Sequence, residues 1–197
     1  PPCPPPSLSP RGRAAAPRPP PPPPPLYPGA PARPPPVPGA WGGLPARAGA
    51  GPVPGGETYE LLSKAARKHR INVCAGLGER SGERLYNSAV LLGRDGELLA
   101  SHRKINELEI AHDLYSLGTE AVAVCETEFG PVGLEICADG FADDQWISRQ
   151  LCELGAKLIL SPCAWAVDAD FEPSADPYGK IWRDNLGLVA RARGVWI

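Results

Sequence analysis

The most constraining feature of this sequence is the distribution of proline along it. Of the 27 prolines in the 197 residues, 23 lie within residues 1–54. Proline fixes the backbone φ angle and removes an amide hydrogen-bond donor, so dense proline runs exclude helix interiors and central β-strands. Any packed core must therefore be built from the rest of the chain.

Composition extends the same division. Pro, Ala, Gly and Arg supply 46 of the first 56 residues, and these contain no Asp, Glu or Lys. Such a segment cannot bury enough apolar surface to offset its conformational entropy. We predict a disordered low-complexity segment over residues 1–56 and a folded domain over residues 57–197.

The proline-rich segment has three interpretations. The run from Arg18 to Pro24, "RPPPPPP", is typical of basic ligands of SH3 and WW domains, so the segment could bind such partners as an adaptor arm. A plain linker is the second interpretation. A wrongly joined reading frame is the third, because the four dominant residues are all encoded by GC-rich codons.

Charge and cysteine content narrow the class of protein. The net charge is −2, and residues 57–197 carry 15 basic and 22 acidic side chains, which favours neither a nucleic-acid nor a membrane partner. No apolar run approaches the ~18–20 residues of a membrane span. The six cysteines show no metal-binding spacing, so we predict reduced thiols in a cytoplasmic protein. The chain lacks Met and ends inside the apolar run "RGVWI", which we interpret as a chain cut at its C-terminus.

Hydrophobic periodicity predicts a mixed α/β layered fold, because helices and strands alternate and antiparallel hairpins are inserted between them. Residues 105–120 lack periodicity and are predicted to be a loop. The predicted helices cover 57–70, 143–155 and 178–193, and the predicted strands cover 71–77, 85–92, 97–104, 121–129, 132–137 and 156–163, with another strand beginning at 194.

One cysteine stands at a chemically useful position. Cys137 ends the strand-like stretch in "GLEICAD", just before a predicted helix. A thiol there lies beside free backbone N–H groups, such as that of Ala138, which can stabilise an oxyanion. Lys104, at the end of another strand in "SHRKIN", could supply a second donor. Alternatively, Cys137 is a core residue and Lys104 is solvated.

Several motifs occur in an order that resembles the nitrilase, or carbon–nitrogen hydrolase, superfamily, with amidase-like members the most similar. The motifs are "RLYNSAVLLGRDGELLASHRKIN", "TEFGPVGLEICAD", "GAKLILSPCAWA" and "WRDNLGLVARARGVWI". The resemblance implies an α/β fold, a four-layer α-β-β-α sandwich that is incomplete here. It also implies cysteine-dependent hydrolysis of a small linear amide, a nitrile or a carbamoyl compound through a thioester. It implies no metal or organic cofactor, and a homo-oligomer for the intact family.

The resemblance also assigns roles to residues. It makes Cys137 the nucleophile, Lys104 the oxyanion-stabilising lysine and Asp113 an additional loop acid, with Glu107 and Glu109 as alternatives for that acid. The family's general base is a Glu in an upstream "PE" motif, for which Glu79 is a poor match. The first 56 residues contain no acid. We therefore expect the chain as given to be nearly inactive; the alternative is a non-catalytic homologue or a partial gene product.

Overall fold

The computed structural model of this protein describes residues 47–164, 171–172, 174 and 179–197. The disorder predicted for residues 1–46, and the run from Arg18 to Pro24, lie outside the described residues. Residues 47–56, which the sequence analysis grouped with the proline-rich segment, are described.

Residues 47–56 pack against the domain, so the fold begins before the boundary predicted at Glu57. Gly51 forms a parallel bridge with Glu79, and its carbonyl oxygen accepts a hydrogen bond from the Arg80 N–H at 2.8 Å. A Cβ atom on Gly56 would lie 2.8 Å from the Gly51 Cα. Glycine is required here by close packing of two backbone segments.

The order of helices and strands agrees with the prediction from periodicity. The helices are α1 (Glu57–His69), α2 (Trp146–Glu153) and α3 (Lys180–Arg193), and the strands are β1 (Val73–Ser81), β2 (Arg84–Leu92), β3 (Leu98–Arg103), β4 (Val124–Thr127), β5 (Gly130–Leu134) and β6 (Leu158–Leu160). Short 3-10 turns cover Glu109–Ala111, Cys137–Phe141 and Asp143–Gln145. Across the described part of the chain, no helix combines the length and apolar character that crossing a membrane requires.

Two three-stranded sheets form the centre of the domain. The first has the strand order β1-β2-β3 with antiparallel pairing. The second has the order β4-β5-β6, in which β4 and β5 are antiparallel and β5 and β6 are parallel. Leu158 also forms a parallel bridge with Trp196, which places the predicted last strand beside β6.

Strand β2 is buried on both of its faces. Alternate residues of a strand point to opposite sides of the sheet, and each side is covered here. One face packs under α1 and the other packs on the second sheet. The cluster under α1 contains Tyr59, Ala66, Val90 and Leu92. The cluster between the sheets contains Ala89, Leu91, Val132, Leu134, Ile136 and Cys137.

A third cluster joins the second sheet to α2. Ile147 and Leu151 of α2 pack with Ile159 of β6. A Cβ on Gly133 would lie 2.9 Å from a methyl carbon of Leu151, so α2 lies directly on β5. The layers are therefore helix, sheet, sheet and helix, which confirms the predicted α-β-β-α sandwich.

The helix predicted over 143–155 begins three residues later than expected, at Trp146. Asp144 and Gln145 have left-handed backbones with φ of 54° and 48°, which a right-handed helix cannot contain. Residues Asp143–Gln145 form a separate 3-10 turn instead. Gly155, with φ of 98°, follows the end of α2 as the sequence indicates.

Candidate active site

Cys137 lies at the point where β5 gives way to a turn. Ile136 still has an extended backbone with φ of −128°, and Cys137 then has φ of 49° and opens the 3-10 turn Cys137–Phe141. All five residues of this turn are buried. A left-handed backbone costs a residue with a Cβ atom about 1–2 kcal/mol. Such strain persists only where the surroundings maintain it, and it is concentrated at functional sites.

This left-handed backbone decides which side of the sheet the thiol faces. Along β5 and its extension, Leu134 and Ile136 face the first sheet. Glu135 faces α2, where its Oε2 accepts a hydrogen bond from the Ser148 hydroxyl at 2.6 Å. Strict alternation would put Cys137 on the same side as Glu135. Cys137 instead packs in the cluster between the sheets.

Lys104 follows directly after β3 and is held in place at both backbone and side chain. Its N–H donates to the Asn87 carbonyl at 2.8 Å, and its carbonyl accepts from the Gly118 N–H at 2.8 Å. Its Nζ donates to Glu107 Oε1 at 2.6 Å, and both side chains are only 3% exposed. The lysine is therefore a fixed buried cation and does not project into solvent.

The surroundings of the Cys137 thiol act on its acidity in opposite directions. Burial raises the pKa of the thiol, whereas the positive charge of Lys104 and a hydrogen bond from the Ala138 N–H lower this pKa. Cys163 and Glu107 also raise the pKa of the thiol. The structure thus brings together Cys137, Lys104 and Ala138. The net effect is a raised pKa, so a base is needed to form the nucleophilic thiolate at neutral pH.

The loop acid beside the lysine is Glu107. Its carboxylate accepts hydrogen bonds from Lys104 Nζ, from the Leu108 N–H at 3.0 Å and from Asn87 Nδ2 at 3.3 Å. Asp113 and Glu109 are exposed. The family resemblance favoured Asp113, but the chain turns back after Lys104 and brings the third residue of the loop to the lysine. Of the three loop acids considered, the structure places Glu107 in contact.

Glu79 is buried and already engaged elsewhere. Its carboxylate accepts hydrogen bonds from the Arg103 guanidinium, with Nε 3.0 Å from Oε2, and from the Ser88 hydroxyl at 2.6 Å. The Arg103 group also lies 4.0 Å above the centre of the Tyr86 ring. Glu79 therefore serves an ion pair on the first sheet, which argues against a role as substitute base for Cys137.

Asp139, a residue without a role predicted from the sequence, is fully buried and lies two residues after the nucleophile candidate. Its carboxylate oxygens have four partners. They are the Ile105 N–H at 3.1 Å, the Asn106 N–H at 2.7 Å, the Ile136 N–H at 2.9 Å and His102 Nε2 at 2.8 Å. An acid at the third position of a turn that follows a strand is a capping signal that could have identified it.

The assembled groups can form a covalent bond to a substrate carbon. The Lys104 ammonium and the Ala138 N–H both act on the Cys137 thiol, and this combination of groups suits attack on a carbonyl or nitrile and stabilisation of the resulting negative charge. Within the described residues, no three His, Cys, Asp or Glu side chains are grouped as a metal site would require.

Curated relatives resemble this chain over part of their length. It is 34% identical over 147 residues to a nitrilase of Pyrococcus abyssi, covering 73% of this chain and 54% of that protein. It is 33% identical over 114 residues to the chloroplastic omega-amidase of Arabidopsis thaliana, covering 53% of this chain and 30% of the relative. The chain thus spans about half or less of the curated relatives it matches.

Solved structures share the fold. A carbon–nitrogen hydrolase of Helicobacter pylori superposes with a TM-score of 0.64 at 22% identity, covering 71% of this chain and 48% of that chain. A mutant amidase from a Nesterenkonia species, with acrylamide added at its active site cysteine, superposes with a TM-score of 0.57 at 24% identity, covering 70% and 50%. The carbon–nitrogen hydrolase family model matches residues 33–195 of this chain, upstream of the predicted domain start as well as across the site. Because this family model matches most of its length, the chain belongs to the carbon–nitrogen hydrolase family.

Proposed function

We propose that Cys137 is the nucleophile of an amide-hydrolysing site and that Lys104 stabilises the oxyanion formed during attack. The observation that carries this proposal is structural: the segment after Lys104 and the residue before Cys137 donate to the same buried carboxylate, Asp139, and the charge of the buried Lys104 acts on the Cys137 thiol. The Nesterenkonia amidase with a modified active site cysteine and the omega-amidase relatives support an amide as the substrate class.

Formation of the thioester needs two proton transfers besides the attack, and its hydrolysis needs two more. The Cys137 thiol gives up its proton as its sulfur bonds to the amide carbon. The C–N bond then breaks, and the leaving nitrogen takes a proton to depart as ammonia. Water finally cleaves the thioester, releasing a carboxylic acid and restoring the thiol. Lys104 can stabilise the oxyanion only if it stays protonated, so it cannot also be the base.

Glu107 is better placed to hold Lys104 than to move protons. One of its oxygens accepts from Lys104 Nζ and the other from Asn87 Nδ2. Residues 1–56 contain no carboxylate. We therefore expect residues 1–197 alone to turn over amides very slowly, because each missing proton transfer costs roughly 10²–10⁴ in rate.

Labelling by acrylamide under native conditions, mapped to individual cysteines by mass spectrometry, tests the nucleophile. We expect Cys137 to react faster than Cys74, Cys125 and Cys163, and Lys104→Met to slow its labelling about tenfold. The matched control is Lys157→Met, which removes an exposed lysine and should change nothing. Faster labelling of Cys163, or an unchanged rate in K104M, would contradict the assignment.

Ammonia release from short-chain amides tests the turnover expectation. The chain as given is compared with a version whose residues 1–46 are replaced by the first βαβ unit of a family amidase. We expect turnover to appear only in the second version. Equal turnover by both would show that the base lies within residues 47–197.

A further inference from the structure

One carboxylate connects the two chain segments that carry the proposed catalytic groups. Asp139 Oδ1 accepts from the N–H groups of Ile105 and Asn106, at 3.1 and 2.7 Å, which directly follow Lys104. Asp139 Oδ2 accepts from the N–H of Ile136 at 2.9 Å, which directly precedes Cys137. Segments more than thirty residues apart in sequence thus meet at a single fully buried side chain.

Two further contacts strengthen this connection. His102, two residues before Lys104, has its Nε2 2.8 Å from Asp139 Oδ2 and donates to it when the proton is on that nitrogen. Asn106 Nδ2 donates to the carbonyl of Ala138 at 2.6 Å. The lysine segment is therefore fixed to the turn that follows Cys137 on both sides of Lys104.

The ammonium group of Lys104 is held by a different residue. Its Nζ donates to Glu107, which belongs to the same loop. A shift of this loop would move Lys104 and Glu107 together, away from the turn that carries Cys137. The bonds that Asp139 accepts, together with the bond from Asn106 to the Ala138 carbonyl, hold this loop to that turn, and hydrogen bonds to an ionised acceptor are about twice as strong as neutral ones.

We infer that Asp139 is a positioning residue, which sets the distance between the Lys104 ammonium and the Cys137 sulfur. This inference rests on the proposed function, because it gives Asp139 a purpose only if those two groups act together. A purely structural role would affect folding and leave the electrostatic relation between Lys104 and Cys137 unchanged.

The test must separate position from the charge of Asp139 itself. The groups that act on the Cys137 thiol are Lys104, Cys163, Glu107 and the Ala138 N–H. Removing a negative charge near a thiol favours the thiolate and lowers its titration midpoint. Moving Lys104 away does the opposite. The sign of the change in Asp139→Asn therefore distinguishes a lost charge from a lost position.

The experiment measures the rate of Cys137 alkylation by iodoacetamide against pH in the whole chain. Asp139→Asn keeps the side-chain shape but turns one acceptor oxygen into an NH₂ group that opposes backbone N–H donors. We expect its alkylation midpoint to rise by about one pH unit. In a Lys104→Met background the same change should move the midpoint by less than about 0.2 units. The matched control, Asp143→Asn on the exposed part of the next turn, should have no effect.

A rise of equal size in both backgrounds, a fall, or no change in Asp139→Asn would overturn the inference. If Lys104→Met alone leaves the midpoint unchanged, the proposed function fails, and the inference fails with it. Circular dichroism checks that each variant folds. If Asp139→Asn does not fold, His102→Ala removes one of the four contacts of the Asp139 carboxylate and leaves its charge in place. A Lys104-dependent rise there supports the inference, and its absence overturns it.

Discussion

The two sides of the chain at Cys137 each bury a carboxyl group, and the two groups have opposite surroundings. Asp139 and Glu135 are both fully buried and lie two residues after and two residues before Cys137. Asp139 has four hydrogen-bonding partners. Glu135 accepts one bond, from Ser148, and within the described residues its Oε1 has no partner. Equal burial therefore does not imply equal stability of the charge.

The difference follows from the secondary structure that carries each acid. Asp139 lies in a turn, where strand and helix ends leave backbone N–H groups free to donate. Glu135 directly follows β5 and faces α2, where it meets the Ser148 hydroxyl, and Gly140 lies close to its other oxygen. Burial raises the pKa of Glu135 to about 7, although the Ser148 hydrogen bond lowers it. Asp139 thus has hydrogen-bond donors on both of its oxygens, whereas Glu135 has a described donor on only one.

The largest effect on stability is expected from removing Asp139, the buried acid with four hydrogen-bonding partners. Asp139→Ala removes a fully buried acceptor from three backbone donors and His102. We expect the free energy of unfolding at pH 7 to fall by about 3–5 kcal/mol, measured by urea denaturation. Asp143→Ala, which truncates an exposed acid on the next turn, should change it by no more than about 0.5 kcal/mol. Similar losses in both variants would show that the four contacts contribute little.

At high pH, Glu135→Gln is expected to act in the opposite direction and to raise the free energy of unfolding. The pKa of Glu135 rises from 4.5 to about 7 on folding, so folding favours the protonated form. The stability from this acid is fully present below pH 4.5 and is lost as the pH rises through 7. Glu135→Gln does not lose it, so the variant should gain about 2–3 kcal/mol relative to the native chain between pH 4.5 and 8.5.

Urea denaturation at several pH values measures this difference, and a second buried glutamate supplies the control. Glu79 is paired with Arg103, so Glu79→Gln should destabilise the domain at pH 8.5 by leaving the Arg103 cation with the exposed Glu120 as its remaining ion-pair partner. Stabilisation by both variants would mean that removing any buried carboxylate helps. A pH-independent effect of Glu135→Gln would show that this acid does not titrate between its unfolded and folded pKa values.

Local patterns explain which parts of the fold were predictable. The hairpin of β2 and β3 follows from two apolar runs around "GRDG", and the observed register pairs Leu92 with Leu98 across that turn. The order of the four layers was implied by the family resemblance instead, since apolar periodicity predicts single elements and not which element packs on which. The start of the fold was predicted too late, because Gly51 and Gly56 were counted as low complexity when close packing requires them.

The site was predictable only where its residues lie at the strand ends of the motifs that resemble the carbon–nitrogen hydrolase family. Cys137 and Lys104 end recognisable strands, and the structure brings them together. Glu107 was left as an alternative because a loop without periodicity gives no register for its acids. Asp139 and Glu135 could not be assigned roles, since the partners of the first are backbone amides from a distant segment. Whether the second meets solvent or a helix depends on how α2 packs on β5.

The smallest effect, and the sharpest comparison, is expected from Ser148→Ala. This change removes the hydrogen bond to Glu135 Oε2, so the carboxyl group has neither oxygen satisfied by a described side chain. Since that bond lowers the pKa of Glu135, the pKa should rise further in the variant. At pH 5 the Glu135 carboxyl group is protonated, and Ser148→Ala should lower the free energy of unfolding by about 1 kcal/mol, the value of a neutral hydrogen bond. At pH 8.5 the charge is unpaired and the loss should grow to about 2 kcal/mol.

Ser63→Ala is the matched control, because the buried Ser63 hydroxyl donates at 2.6 Å to the carbonyl of Gly96, which does not titrate. Its cost should be the same at both pH values. A cost of Ser148→Ala that is equally flat with pH would mean that Ser148 does not stabilise the charged form of Glu135.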